Sequence, residues 1–245
     1  MKLGKISAIF VILALIFSQS STAQVRESGG SGIKEGIGRT WKGPNTSILS
    51  GILLKKRTPA KQVPKNSRLK TSPAAVSDSV KFKPAVDSGV ALMLADAFSS
   101  NPAEKSGLLV VFAQIKQGYE TEIAKEGKSN DLAAAMTFFI AANVTAYHQS
   151  EEPSDRIVED LYESLRGSLA ATPEFVKTSN AEKQQMHDWM VYMAGFVMAG
   201  YMDAKQNGDT AGLATFKDIA DASVRLVLGI EGSKLKFGEN GLISG

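Results

Sequence analysis

From Asp87 onward the apolar positions fall three and four residues apart, the spacing of helices with one buried face. Val90, Met93, Leu94, Ala97 and Phe98 mark a short first helix. Asn101-Pro102-Ala103-Glu104 opens a second. Asn supplies a cap, Pro the preset φ of the first helical position, and Glu a charge that suits the helix N-terminus. Its face runs through Leu108, Phe112, Ile115, Tyr119 and Ile123 to Gly127. A third helix follows Asn130, with a broad stripe of Leu132, Ala135, Met136, Phe139, Ile140, Asn143, Val144 and Tyr147. Ser154 stands where a cap for a fourth is needed, and Ile157, Val158, Leu161, Tyr162, Leu165 and Leu169 form its face. Thr172-Pro173 begins a short connecting turn of helix. Ser179-Asn180-Ala181-Glu182 is a capping box that opens a fifth helix reaching about Asn207, and Asp209 caps a sixth ending at Gly229.

The fifth helix differs from the rest. Trp189 to Met202 carries no charge and is apolar on every side, which places it at the centre of a bundle. Fourteen residues are too few to span a bilayer, which takes roughly 20. Gly195 and Ala199, four apart on this helix, allow a neighbouring helix to approach closely. After Ser233, Leu235 and Phe237 alternate before Gly238 and Gly241, a short extended strip or hairpin. The pattern predicts an all-α protein: an antiparallel bundle of about six helices with a short extended or hairpin C-terminal tail.

No such period lasts ten residues between Gln24 and Pro84. That stretch is rich in Gly, Ser, Pro and Lys and reads as a disordered basic arm, too poor in apolar surface to offset its chain entropy. Two short exceptions stand out. Ile48-Leu49 and Ile52-Leu53-Leu54 precede Lys55-Lys56-Arg57, and Val80 to Phe82 has the means to pair or dock. Charge divides the chain at the same place. Residues 24–85 hold thirteen Lys and Arg against three Asp and Glu, whereas residues 86–245 hold thirteen against twenty-two. An unfolded cationic arm attracts anionic lipid, cell-wall polymer or nucleic acid. Specific nucleic-acid binding fits poorly, because aromatic interleaving stops at Trp41 and Phe82.

The N-terminus reads as an export signal. Lys2 and Lys5 precede twelve uncharged residues from Ile6 to Phe17, and Ser21-Thr22-Ala23 sets small residues before a cut between Ala23 and Gln24. The organisation expected is therefore a signal peptide at 1–23, a flexible arm at 24–85 and a helical domain at 86–245. With no cysteine, disulfides, thiolate metal sites and lipoprotein acylation are excluded. A free periplasmic or extracellular bacterial protein follows.

Candidate chemistry is sparse. His148 ends the third helix beside Tyr147, with Glu151-Glu152 following, a set able to bind a ligand or metal, or simply a helix C-terminal histidine favoured by the dipole. Asn143 is a polar amide on an apolar stripe; it faces either a pocket, with Tyr147, Tyr192 and Tyr201 as companions, or a bonding partner in the core. Met186, Met190 and Met193 share a helical face beside His187, an arrangement that suits Cu(I) as well as it suits core packing. His187 and Asp188 are adjacent, point about 100° apart on a helix and do not form a ready-made dyad. HExxH, GxSxG and P-loop patterns are absent, and no cofactor is called for.

The runs FFIAANVTAYH (138–148), EPSD (152–155), ATPEF (171–175), SNAEKQ (179–184), AGFVMAGYMDAKQNGD (194–209) and RLVLG (225–229) resemble an uncharacterised bacterial family. Its members are exported proteins with a single all-helical domain and no assigned function. The resemblance covers Val86 to Leu242, including KLKF and GL of the tail, and leaves out the arm. It implies fold and export and transfers no catalytic residue. The sequence therefore favours a non-catalytic binding or structural module of the cell envelope with a basic tether. Its rival is a small-molecule or metal (copper) binder, or a hydrolase, using a pocket in the bundle.

Overall fold

The computed structural model describes residues 30–41, 43, 79–85, 87–239 and 241–244. The expected signal peptide, its Ala23/Gln24 cut and the Ile48–Leu54 cluster lie outside the described residues. Among the described residues there are eight α-helices: α1 Gly30–Thr40, α2 Val90–Phe98, α3 Pro102–Lys125, α4 Leu132–His148, α5 Asp155–Ala170, α6 Pro173–Lys177, α7 Asn180–Gln206 and α8 Thr210–Leu228. A 3₁₀ turn at Gly232–Lys234 leads into a hairpin of β1 (Leu235–Gly238) and β2 (Gly241–Ser244). The strands pair antiparallel with Leu235 opposite Ser244 and Phe237 opposite Leu242, the tail predicted by the alternation.

Local chemistry starts and stops these helices. Asn101 Oδ1 accepts from the Ala103 and Glu104 amides, with Pro102 at the first helical position. Ser179 and Glu182 complete the capping box reciprocally, Ser179 N–H donating to Glu182 Oε2 at 2.9 Å. The cap of α4 is Asp131, directly after Asn130, and its Oδ1 accepts from Ala133 and Ala134. Ser154 occupies the cap position of α5 without a side-chain bond. Gly127, Gly208 and Gly229 take positive φ where the chain leaves a helix.

Two helices form the centre. α4 is buried at every residue from Leu132 to Ala146, and α7 from Met186 to Tyr201. They pack along one another, with α8 against both, α3 and α2 on α7, and α5 on α4. Gly195 lies where α3 crosses α7: a Cβ there would collide with the Ile115 side chain. Gly200 does the same for the Phe216 ring of α8. Gly195 and Gly200 thus allow close contacts with two different helices, and Ala199 between them is fully buried.

The arm differs from its expectation. Residues 30–40 form α1, which lies across α2 and α8 and buries Ile33 and Ile37. Only one apolar pair, a single turn apart, carries this helix, too short a pattern for a ten-residue window to register. Gly36 makes the approach possible, since a Cβ there would strike the Ala97 carbonyl of α2. Residues 79–85 also lie on the body. Val80 and Phe82 are buried, Lys81 bridges to Asp131, and Phe82 N–H donates to the Asn130 carbonyl at 3.1 Å. Ala85 exchanges two hydrogen bonds with the Gln184 side chain of α7. The 24–85 segment is thus held on the bundle at two places.

Gly195→Ala gains about 1 kcal/mol of helix propensity but pushes a methyl into Ile115 at a cost of about 1–3 kcal/mol. It is expected to lower unfolding free energy by up to about 2 kcal/mol, measured by urea denaturation. Gly36→Ala is expected to release α1 alone, read as faster amide exchange at Ile33 to Thr40 with the α4 and α7 amides unchanged.

Candidate functional site

A cleft of about 570 Å³ lies between the end of α4 and the last two turns of α7. α4 stops at His148, Gln149 takes a left-handed conformation (φ 50), and the chain turns away through Pro153. Beside that departure α7 becomes partly exposed only from Met202 onward. Met198, Ala199 and Met202 form the apolar wall, and the small Ala199 side chain adds depth. Glu151, Glu152, Asp203 and Lys205 bring three carboxylates and one amine to the lining. Tyr201 lines it as well, its hydroxyl accepting from Lys205 Nζ at 3.3 Å. The Thr145 side chain also lines the cleft; the residue is buried, and its hydroxyl has no protein partner. A buried hydroxyl left unbonded costs about 1–3 kcal/mol, so a ligand that engages it recovers that amount. Sequence reasoning missed Thr145, which looked like one more residue on a buried helix.

Of the five pocket residues predicted from sequence, Tyr201 alone lines this cleft. Asn143 is fully buried; its Nδ2 donates to the Phe139 carbonyl of its own helix at 2.8 Å, while Oδ1 has no partner. The His148 ring is committed elsewhere. Its Nε2 lies 2.7 Å from the Leu235 carbonyl, which can only accept, so Nε2 carries the proton and ties α4 to the hairpin. Tyr147 packs where a Cβ on Gly232 would touch its ring, with Lys217 Nζ 4.9 Å above the centroid. Tyr192 stacks 5.3 Å from Phe112, and burial pushes its hydroxyl pKa upward.

Met186, Met190 and Met193 belong to the core, the last two fully buried. Beside them, His187 and Asp188 do form a pair, contrary to the helical-wheel argument. His187 Nδ1 lies 3.0 Å from Asp188 Oδ1, because the two side chains can lean together although their Cα–Cβ bonds diverge. Asp188 Oδ2 accepts from Ser88 Oγ at 2.6 Å and from Lys116 Nζ at 2.9 Å. Burial by itself would raise the Asp188 pKa. The hydrogen bonds from His187, Ser88 and Lys116 outweigh it and hold the carboxyl below its ordinary value. His187 is packed edge-on between Phe82 and Tyr119, and its Nε2, 3.9 Å from Glu120 Oε1, makes no hydrogen bond. Among the described residues no three His, Asp or Glu side chains gather as a metal site. No helix among them is long and apolar enough to cross a membrane.

Residues 44–244 match DUF6683, a family of unknown function. The chain belongs to that family. The match begins inside the segment that the sequence pattern had set apart as an arm, so the family unit includes residues 79–85 with the bundle they cover. No curated protein and no solved structure matches the chain.

The Asp188 cluster sets an acid limit. Because the folded pKa is depressed, its stabilisation is complete above the unfolded value of about 3.9 and is lost as pH falls through the folded value. Asp188→Asn leaves Lys116 without its counter-charge. With Lys116 partly solvated, it is expected to cost about 3 kcal/mol at pH 7 and to flatten the acid limb of urea midpoints recorded against pH.

Proposed function

We propose that this protein is a non-catalytic binding module of the bacterial cell envelope, exported by residues 1–23, whose helical body takes a small cationic ligand in the Thr145–Tyr201 cleft. The observation that carries this reading is the buried, unpartnered Thr145 hydroxyl of a residue lining a cleft whose rim holds the exposed Glu151 carboxylate. A hydroxyl of that kind beside an apolar wall and charged groups is the mixture that small-molecule sites use for orientation and affinity. A positive group suits the exposed Glu151 carboxylate, and an aliphatic stem suits Met198, Ala199 and Met202.

The tether narrows under this reading. Residues 30–41 and 79–85 lie on the body, and we take as the tether the basic stretch at residues 44–78, with seven Lys and Arg against one Asp. Attraction of this kind is strongly salt-dependent.

Choline and spermidine are suitable probes. Each is expected to raise the melting temperature of the full protein in a saturable way, with succinate as the negative control. Thr145→Val is expected to abolish the shift while keeping or raising intrinsic stability by about 1 kcal/mol, because it removes a hydroxyl that has no partner. A shift by succinate alone, or one that survives both Thr145→Val and Met202→Trp, would sink the cleft reading. For the tether, changing Lys55, Lys56, Arg57, Lys61, Lys65, Arg68 and Lys70 to Gln is expected to release the protein from isolated envelopes. The wild type is expected to leave only at high salt.

A further inference from the structure

A second cavity, independent of the Thr145 cleft, lies between the end of α1 and the first turns of α7, and we propose that it binds the ring of a neutral sugar. Its volume is about 250 Å³, below the range of about 300–1,000 Å³ that drug-sized ligands occupy. That is room for one substituted six-membered ring.

The lining specifies the chemistry. Among the described residues its lining contains no Lys, Arg, His, Asp or Glu, so a charged ligand would find no counter-charge on them to offset its lost hydration. Two tryptophans dominate it. Trp41 and Trp189 stand edge to face with centroids 5.0 Å apart, and Met93 and Met186 extend the apolar wall. The negative face of an indole attracts weakly positive hydrogens, and the C–H face of a pyranose presents such hydrogens in a row. Its hydroxyls lie around the ring edge and need polar partners. The Gln185 amide supplies one, and the Trp41 Nε1–H is buried with no acceptor in the protein. An all-carbon aromatic ring would leave that donor unsatisfied, whereas a sugar hydroxyl accepts from it.

The scaffold holds the two indoles in place. Trp189 Nε1 donates to Thr40 Oγ1 at 2.9 Å, and Thr40 Oγ1 donates to the Ile37 carbonyl, which ties the end of α1 to α7. Gly43 brings the chain back against the Trp41 ring, where any Cβ would collide with it. A bound sugar therefore bridges α1 and α7 and holds α1 on the body.

Trp41 and Trp189 are the only tryptophans in the chain, so indole emission reports this cavity alone. The full protein is titrated with glucose, N-acetylglucosamine and methyl β-glucoside, with glucuronate as the charged analogue and p-cresol as the planar aromatic one. A saturable emission change with at least one neutral pyranose, about tenfold weaker with glucuronate, is expected. Slower amide exchange across Gly30–Thr40 accompanies it. Trp41→Ala and Gln185→Ala are each expected to weaken binding by about tenfold or more, with Trp189 still reporting. Gln185 is only partly buried, so its variant carries the test if Trp41→Ala fails to fold. No response to any pyranose, a saturable response to p-cresol alone, or sugar binding unchanged in both variants would overturn the proposal.

Discussion

The rest of the structure depends on one constraint: α7 is apolar all the way round and has to be enclosed on every side. A helix with a single apolar stripe needs one neighbour, but the run from Trp189 to Tyr201 has no face that tolerates water. α4, α8, α3 and α2 cover its middle. Its first turns are covered by what precedes the bundle in sequence: Thr40 and Trp41 against Trp189, Phe82 against His187, and Ala85 on Gln184. At its last turns the enclosure opens, because α4 ends and the chain turns away. The cleft is the unenclosed end of the helix that organises the fold.

Polar groups within this core are satisfied in two ways. Most bond locally, as Thr137, Asn143 and Ser223 do with the carbonyl four residues back on the same helix. Two carboxylates instead join distant segments. Asp131 caps α4 through one oxygen and accepts from the Tyr162 hydroxyl of α5 through the other, while its backbone pairs with Lys81. Asp188 gathers Ser88, Lys116 and His187 from three parts of the chain. Each is a buried charge whose desolvation is offset only when all partners are present, so both specify a particular arrangement more than they add net stability. The remaining orphans are few, and Thr145 Oγ1 and Trp41 Nε1 belong to residues that line the two cavities.

Much of the bundle was legible because its signals are local. Helix faces, the Asn101 and Ser179 caps and the stop at Gly229 arise from residues within four positions of each other, and their geometry is the same in any protein. The site was less legible. Asn143, Tyr147, His148 and Tyr192 stood out as polar or aromatic groups beside apolar ones, but a side chain's partner depends on which distant segment packs against it. His148 went to the hairpin, Asn143 to its own backbone, and Thr145 lines a cleft that no spacing rule describes.

The sequence by itself determined where helices begin and end, that α7 is central, and that the chain changes character near residue 86. Those properties rest on backbone propensity, capping and hydrophobic period, all short-range. Tertiary structure alone decided that residues 30–41 belong to the body, that His187 and Asp188 meet, and where the cavities open, while the docking of 79–85 was foreshadowed by the apolar Val80 and Phe82. An isolated pair such as Ile33 and Ile37 is too weak to declare a helix. It becomes decisive once Gly36 lets it reach the surface of α2, a contact between residues about sixty positions apart that no local pattern encodes.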